Sequence, residues 1–445
     1  MNTLSRKEIF KFIIKEFHSS QLPVVISRDL KVPLFSEKII TLFGPRRGGK
    51  SFYLFSLIKT LAEKHGIKKE RIVYINFEDD RLLPLTVKDL QFLIDAYYEL
   101  YPDYKGSDLF FLFDEIQNID GWETFVRRIY EKEKIRIFIT GSSSKLLSRE
   151  ISTSLRGRTV SYPLYPLNFN EFLRFKGLTL EKNFQYTPLR FKIKNLLDEY
   201  IEWGIFPEIA KEQDAMLRKK ILSEYFHMLV FRDIGERFAL SNTDMLKDLL
   251  KFLFTDITSC FSVNSYYNLA KQTITMSRET VTSYLSHIEE SQYFFLLPVF
   301  SYSLKVQKVN PKKVICLDTG LRNVIAFRFS ADKGKLAENM VGSVLKTRGY
   351  DLYYWKNKRE VDFVVKEDSD LTGINVCYSN MLKEREIDSL LEFRDTFKNV
   401  KKLLLITEDT EKEEGKISFV PLWKWLLNER IKGQGADFSE HLEQN

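Results

Sequence analysis

Lys38-Ile-Ile-Thr-Leu-Phe-Gly-Pro-Arg-Arg-Gly-Gly-Lys-Ser-Phe-Tyr-Leu-Phe-Ser-Leu57 decides how this chain is read. Within it, Gly44-Pro-Arg-Arg-Gly-Gly-Lys50-Ser51 fits the G-x-x-x-x-G-K-[ST] pattern at every fixed position. Ile39 to Phe43 is a short apolar run, which predicts a buried parallel strand. From Phe52 to Leu61 apolar residues recur at helical spacing. The loop therefore leaves a strand and opens a helix.

That context carries a definite chemistry. Gly44 and Gly49 permit backbone angles that a Cβ would oppose, so successive N–H groups can curl around a phosphate. The helix N-terminus adds its partial positive charge. Lys50 is expected to reach the β- and γ-phosphates of a bound nucleotide, and the Ser51 hydroxyl to ligate Mg²⁺. The candidate nucleotide-binding set is Gly44, Pro45, Arg46, Arg47, Gly48, Gly49, Lys50, Ser51 and Phe52, with ATP and Mg²⁺ as the implied cofactors.

Working outward, Lys7 to Phe17 reads as a lead-in helix, followed by an extended segment marked by Pro23 and Pro33. Arg71-Ile-Val-Tyr-Ile-Asn-Phe-Glu-Asp79 is a strand with acids at its C-terminal end, where ligands sit in an open parallel sheet. Glu78 and Asp79 are either functional there or plain loop acids. A helical pattern covers Val87 to Tyr98. Asp108-Leu-Phe-Phe-Leu-Phe-Asp114-Glu115 is a continuous apolar run ending in two carboxylates, the pattern of a buried strand. Asp114 is expected to position the metal and Glu115 to polarise the attacking water. Ile135 to Thr140 forms a further strand, leading into Gly141-Ser142-Ser143-Ser144. Ser142 either meets the γ-phosphate or caps a helix. Leu155-Arg156-Gly157-Arg158 places two arginines around a glycine turn. Arg156 and Arg158 are candidates for an arginine finger, in cis or into a neighbouring subunit, with solvated surface arginines as the alternative.

This order of parts, closed by Pro163-Leu164 and a Phe169-Asn-Glu-Phe172 helix, resembles the prokaryotic AAA-type ATPases that carry an uncharacterised C-terminal region of the DUF4143 type. The resemblance implies an α/β core of the additional-strand, catalytic-glutamate division of phosphate-loop enzymes. It runs along nearly the whole chain, most strongly before residue 175.

The C-terminal half supplies three further expectations. Residues 176–255 read as a helical lid in which Tyr200-Ile-Glu-Trp-Gly-Ile-Phe-Pro207-Glu resembles the Gly-Phe-Pro turn of such ATPases. Residues 256–312 resemble a winged helix-turn-helix. Its recognition helix lies near 278–289 and exposes Arg278, Thr282, Ser283 and His287. The basic segment around Lys305 to Val314 is expected to be strand-like, as a wing would be. Residues 313–432 follow the order α-β-β-β-α-β of restriction-endonuclease-like domains. Asp362 stands where the second-strand acid belongs, and Glu338 fits a supporting acid. The third strand carries Asn375 and Cys377 in place of an acid and a lysine, so the nuclease site is expected to be vestigial. Lys356, Lys358 and Arg359 form an adjacent basic patch. Residues 433–445 read as a tail.

Bulk properties fit. The 445 residues suit about two to four domains, with 44% hydrophobic and 29% charged residues typical of globular proteins. No apolar run has the length of a membrane span and no signal-peptide core opens the chain, so a cytoplasmic location is expected. Cys260, Cys316 and Cys377 are far apart and read as core residues in a reducing compartment. A net charge of +7 permits a nucleic-acid partner without requiring one. The leading expectation is an ATPase coupling nucleotide state to DNA. The alternatives are a nucleotide-gated switch for a protein partner, and an ATP-regulated nuclease. An arginine finger in trans would require an oligomer.

Overall fold

The computed structural model describes residues 5–142, 155, 157–180, 183–240, 242–272, 276–326, 333–379 and 382–428. Arg156, Ser143, Ser144, the Ser142 side chain and the tail at 433–445 lie outside the described parts. The chain divides into two compact units. The first is Met1–Leu167 with Phe206–Glu208 and Glu290–Gln292, and the second is the remainder.

The first unit contains α1 (Arg6–Ser19), β1 (Ile39–Gly44), α2 (Lys50–His65), β2 (Ile72–Asn76), α3 (Gln91–Leu100), β3 (Leu109–Asp114), α4 (Trp122–Lys132), β4 (Ile135–Ser142) and β5 (Thr159–Pro163). The strands form one parallel sheet in the order β2-β3-β4-β1-β5. Every residue of β1 and β3 is buried, as continuous apolar runs require in a sheet covered on both faces. Alternate side chains divide between two cores. Leu109, Phe111 and Phe113 join the core with Phe10, Leu93, Tyr97 and Trp122. Phe110 and Leu112 join the one with Leu54, Ile58 and Leu61 of α2. This sheet order sets β4 between β1 and β3, so the end of β4 lies between the phosphate loop and the two acids.

The second unit continues with α5 (Phe169–Phe175), α6 (Leu189–Trp203), α7 (Pro207–Lys211), whose first two residues belong to the first unit, and α8 (Ala215–Met228), which runs on as π-helix over Leu229–Glu236. Next come α9 (Thr243–Thr255), β6 (Cys260–Phe261), α10 (Val263–Ala270), α11 (Arg278–Glu290), β7 (Phe294–Leu297), α12 (Leu304–Val309) and β8 (Lys312–Cys316). Strands β6, β8 and β7 make a small antiparallel sheet in that order. The wing expectation is corrected here. Residues 304–309 are helical, not strand-like, because Ser303 caps the turn through the Val306 N–H. Only the segment from Lys312 is strand. Cys260 is exposed on the two-residue edge strand β6, so of the three cysteines only Cys316 and Cys377 are core residues.

The chain then forms α13 (Thr319–Ile325), α14 (Lys333–Thr347), β9 (Asp351–Lys356), β10 (Glu360–Glu367), β11 (Asp370–Cys377), α15 (Glu384–Thr396), β12 (Val400–Thr407), β13 (Lys412–Glu414), β14 (Ile417–Pro421) and α16 (Leu422–Asn428). Their six strands lie in the order β13-β14-β12-β11-β10-β9, antiparallel from β9 to β11 and parallel from β11 through β14. No helix among the described residues is long and apolar enough to cross a membrane.

One buried carboxylate ties the helical part of this unit together. Asp318 caps α13 by accepting the Leu321 N–H at 2.6 Å, and its other oxygen accepts the Ile205 N–H at 2.6 Å. Gly204 lies so close that a Cβ there would come within 2.1 Å of that carboxylate. Burial pushes the Asp318 carboxyl up to about 6, with the N–H groups of Ile205, Leu321 and Gly320 pulling it back. Asp318→Ala strands two buried donors and is expected to cost about 2–4 kcal/mol in urea unfolding. Because the folded-state value is raised, this group's contribution is present below the ordinary 3.8 and is lost as pH rises through about 6. Wild-type stability should therefore fall over that window relative to Asp318→Asn.

Candidate functional site

The phosphate loop is shaped by backbone. A Cβ on Gly44 would lie 2.0 Å from the Leu164 carbonyl oxygen, so only glycine allows β5's exit to close on the loop. Gly49 adopts φ 95° and ψ 25° as the residue before α2, a left-handed conformation that turns the loop's amides inward. Arg28 fastens the loop from outside. Its guanidinium donates to the Gly48 carbonyl at 3.0 Å and to the Tyr165 and Pro166 carbonyls at 2.5 and 3.2 Å.

Lys50 is 4% exposed, and its ammonium donates to the Gly44 and Pro45 carbonyls at 3.2 Å each. It also stands 3.6 Å from a carboxylate oxygen of Glu115. Arg46 faces Glu78 at 3.7 Å, and Arg47 pairs with Glu208 at 2.9 Å. Of the two β2 acids, Glu78 thus turns to the loop, while Asp79 is held by Arg81 at 2.6 Å. Phe52 is half exposed, with its ring edge-on to Phe55.

Asp114 is fully buried. Its carboxylate accepts hydrogen bonds from the Tyr74 hydroxyl at 2.8 Å, from the Thr140 hydroxyl and from Ser51. Burial pushes its carboxyl above the ordinary range, and the Ser51, Thr140 and Tyr74 bonds oppose that shift. Glu115 adopts φ 52°, unusual for a residue with a side chain, and its N–H donates to Thr140 Oγ1 at 3.1 Å. Gln117 donates to its carboxylate. Ser51 and Asp114 together offer the oxygen donors that Mg²⁺ prefers, beside a loop suited to phosphates.

Three contributors escaped the sequence: Arg28, Tyr74 and Thr140. Thr140 is legible in part, as the last polar residue of an apolar strand, but the serines that follow offer the same hydroxyl chemistry and mask it. Arg158 requires a correction. Its carbonyl accepts the Ile39 N–H at 2.9 Å, which places it at the amino-terminal end of β1, about 17 Å along the strand from Gly44. Its guanidinium pairs with Glu131 at 2.7 Å. It cannot serve as an arginine finger in cis.

In the second unit, Arg278, Thr282 and Ser283 are exposed on α11. Arg278 lies over the Tyr267 ring at 5.1 Å. His287 does not join them as a free contact. Its ring stacks on Phe238 at 3.9 Å and Nε2 is 3.2 Å from the Ser283 hydroxyl. Glu338 and Asp362 do converge, both on the ammonium of Lys313, at 2.7 and 3.2 Å. Asn375 is buried beside them, accepting the Asp362 N–H at 3.0 Å, whereas the Cys377 sulfur faces Ser379.

Residues 36–173 match the model of an AAA domain. Residues 194–332 and 333–425 match two domains of unknown function, DUF8612 and DUF4143. An uncharacterized protein of Methanocaldococcus jannaschii is 37% identical over 443 residues, which is 95% of this chain and 96% of that protein. An uncharacterized protein of Haemophilus influenzae is 30% identical over 392 residues, covering 87% of this chain and 94% of its own. Among solved structures, the Walker-type ATPase of Pyrococcus abyssi is similar over 72% of this chain and 95% of its own, at 14% identity and a TM-score of 0.40. A relative aligned along almost its entire length, with the AAA match falling on the phosphate loop and the Asp114-Glu115 strand, makes this chain a member of the AAA-type ATPases that carry a C-terminal DUF4143 region.

Proposed function

We propose that this protein is a Mg²⁺-dependent ATPase whose nucleotide state is coupled to a DNA-facing C-terminal half. The observation that carries the reading is the convergence of Lys50, Ser51, Asp114, Glu115 and Thr140 at the ends of three adjacent strands. The amides from Gly44 to Phe52 would cradle the phosphates, and Lys50 would leave its loop carbonyls for the β- and γ-oxygens. Ser51 and Asp114 would hold Mg²⁺, which would supply the positive charge that offsets the negative charge developing on the phosphates. Glu115 would orient the attacking water, with Thr140 fixing its backbone. Ser142 stays a candidate γ-phosphate contact and Arg156 a candidate finger.

The coupling half is read as a helical lid at 176–255, a winged helix-turn-helix at 256–312 and a restriction-endonuclease-like domain at 313–432. The order α9-β6-α10-α11-β7-α12-β8, with β8 central in its sheet, supports the winged helix, the short helix α12 standing in the loop between its last two strands. The mixed sheet from β9 to β14 supports the endonuclease-like fold. DNA contact predicts a steep salt dependence, because each neutralised phosphate releases counterions. In a fluorescence titration with duplex DNA, log affinity should fall linearly with log salt. Affinity that is flat with salt would reject the DNA reading.

One observation favours the second reading, a nucleotide-gated switch for a protein partner. Tyr302, Leu304 and Val309, between β7 and β8, are each at least 70% exposed. An apolar tip suits a protein surface better than a phosphate backbone.

A further inference from the structure

The second unit contains a polar cavity of about 640 Å³, within the size range of ligand sites. Its wall includes Glu338 of α14, Glu360 and Asp362 of β10, Val376 of β11 and Glu386 of α15. Against these acids lies Lys313 of β8, 1% exposed. Its ammonium is 2.7 Å from Glu338, 3.2 Å from Glu360 and 3.2 Å from Asp362. Burial alone would favour losing its proton, but the charges of Glu338, Asp362 and Glu360 outweigh burial and hold it protonated above its ordinary value. Burial and the Asp362 charge push the Glu338 carboxyl up to about 8, against the pull of Lys313.

This arrangement occupies the oxygens a divalent cation would need. One Asp362 oxygen is taken by Lys313 and the other accepts the Val376 N–H at 2.9 Å. At the neighbouring position on β11, Asn375 is fully buried. Its amide nitrogen donates to Ser389 at 2.7 Å and to the Glu386 carbonyl at 3.0 Å. A dication at the same oxygens would face an ammonium at contact distance and a neutral amide in place of a second carboxylate. Around the opening, Lys335, Lys358 and Lys383 are exposed. Arg359 and Arg385 also line it, bound to Asp388 and Glu386 at 2.9 Å each.

We infer that this cavity is a metal-independent binding site for a phosphodiester backbone, in which the buried ammonium of Lys313 neutralises the central acids from within and the exposed rim lysines Lys335, Lys358 and Lys383 grip the phosphates. The inference rests on the DNA reading above and assigns it a site. The domain then holds a strand without cutting it, since activating a water beside the scissile phosphate would require the metal that Lys313 displaces.

The test uses the full chain and a fluorescein-labelled DNA duplex. Wild-type binding should persist in EDTA and be no tighter in Mg²⁺, which competes for the phosphates. The exposed double substitution Lys358→Ala/Lys383→Ala should weaken binding about tenfold and make the salt slope shallower by about two. In parallel, Mn²⁺ is titrated by electron paramagnetic resonance without nucleotide, in an Asp114→Asn background that removes the carboxylate assigned to metal at the phosphate loop. Lys313→Met should gain a Mn²⁺ site that is removed again by Asp362→Ala, while the protein retaining Lys313 shows none. Loss of wild-type DNA binding in EDTA would overturn the inference. So would Mn²⁺ binding that depends on Asp362 while Lys313 is present. Binding that persists unchanged in the rim variant would overturn this site and leave the DNA reading standing on α11. Absence of any duplex binding, with ATP hydrolysis intact, would remove both.

Discussion

Glu115→Gln is expected to bind ATP nearly as well as the wild type and to hydrolyse it about 10²–10⁴-fold more slowly, the usual contribution of a positioned general base. The substitution keeps shape and removes only basicity. The side chain's position is over-determined: its backbone sits at φ 52°, its N–H is fixed by Thr140 and its carboxylate is held by Gln117. A carboxamide should therefore occupy the same place. The carboxylate also stands 3.6 Å from Lys50, a charge contact that Gln weakens in the nucleotide-free protein. Freed of that partner, Lys50 should turn to phosphate no less readily, so affinity is not expected to fall. Single-turnover hydrolysis together with equilibrium nucleotide binding separates the two effects. Turnover within about threefold of wild type would move the base elsewhere.

The parts of this site that were legible in sequence are those whose chemistry is contiguous. Gly44 to Ser51 encodes loop, charge and helix start within one short stretch. The Asp114-Glu115 pair announces itself because an unbroken apolar run must be a buried strand and its end must face ligand. What stayed hidden depends on which strands become neighbours. Thr140 matters because β4 falls between β1 and β3, an order no local pattern states. Tyr74 matters because β2 pairs with β3 in the register that sets Asn76 against Asp114. The cis placement expected of Arg158 fails for the same reason: a glycine turn before a strand does not say at which end of the sheet it lies.

The C-terminal half shows the same limit. The order of helices and strands from Lys333 onward is readable from periodicity apart from the short β13, and Glu338 and Asp362 stand out through the resemblance of that order to restriction-endonuclease-like domains. Their partner does not, because Lys313 arrives from a different sheet, well before α14 in the chain. The one available signal is a pair of lysines, Lys312 and Lys313, that opens a strand continuing as apolar Val314-Ile-Cys316. The apparent wing strand fails because Lys305-Val-Gln-Lys-Val does not alternate: Val306 and Val309 are three residues apart, as on one face of a helix, and Ser303 supplies the helix cap.

Lys50→Ala is expected to lower ATP affinity by about 100-fold, or about 2.8 kcal/mol. The side chain is 4% exposed and already sits within the loop, its ammonium held by the Gly44 and Pro45 carbonyls and facing Glu115. A triphosphate offers it stronger, ionised acceptors, so the exchange of carbonyls for phosphate oxygens is favourable. Alanine removes that gain and leaves the acidic pair Asp114 and Glu115 facing the phosphates without the nearest compensating charge. Lys50→Arg is not expected to rescue, because the planar guanidinium is larger than the space an ammonium fills between two loop carbonyls. Calorimetry with Mg²⁺ and ATP checks the prediction, and thermal unfolding of each variant checks that the fold survives. Undiminished ATP uptake by a folded Lys50→Ala protein would mean that the phosphates dock somewhere other than this loop. The contrast with Glu115→Gln is the sharper result: one substitution should abolish binding at working concentrations, while the other should leave binding intact and stop the reaction after it.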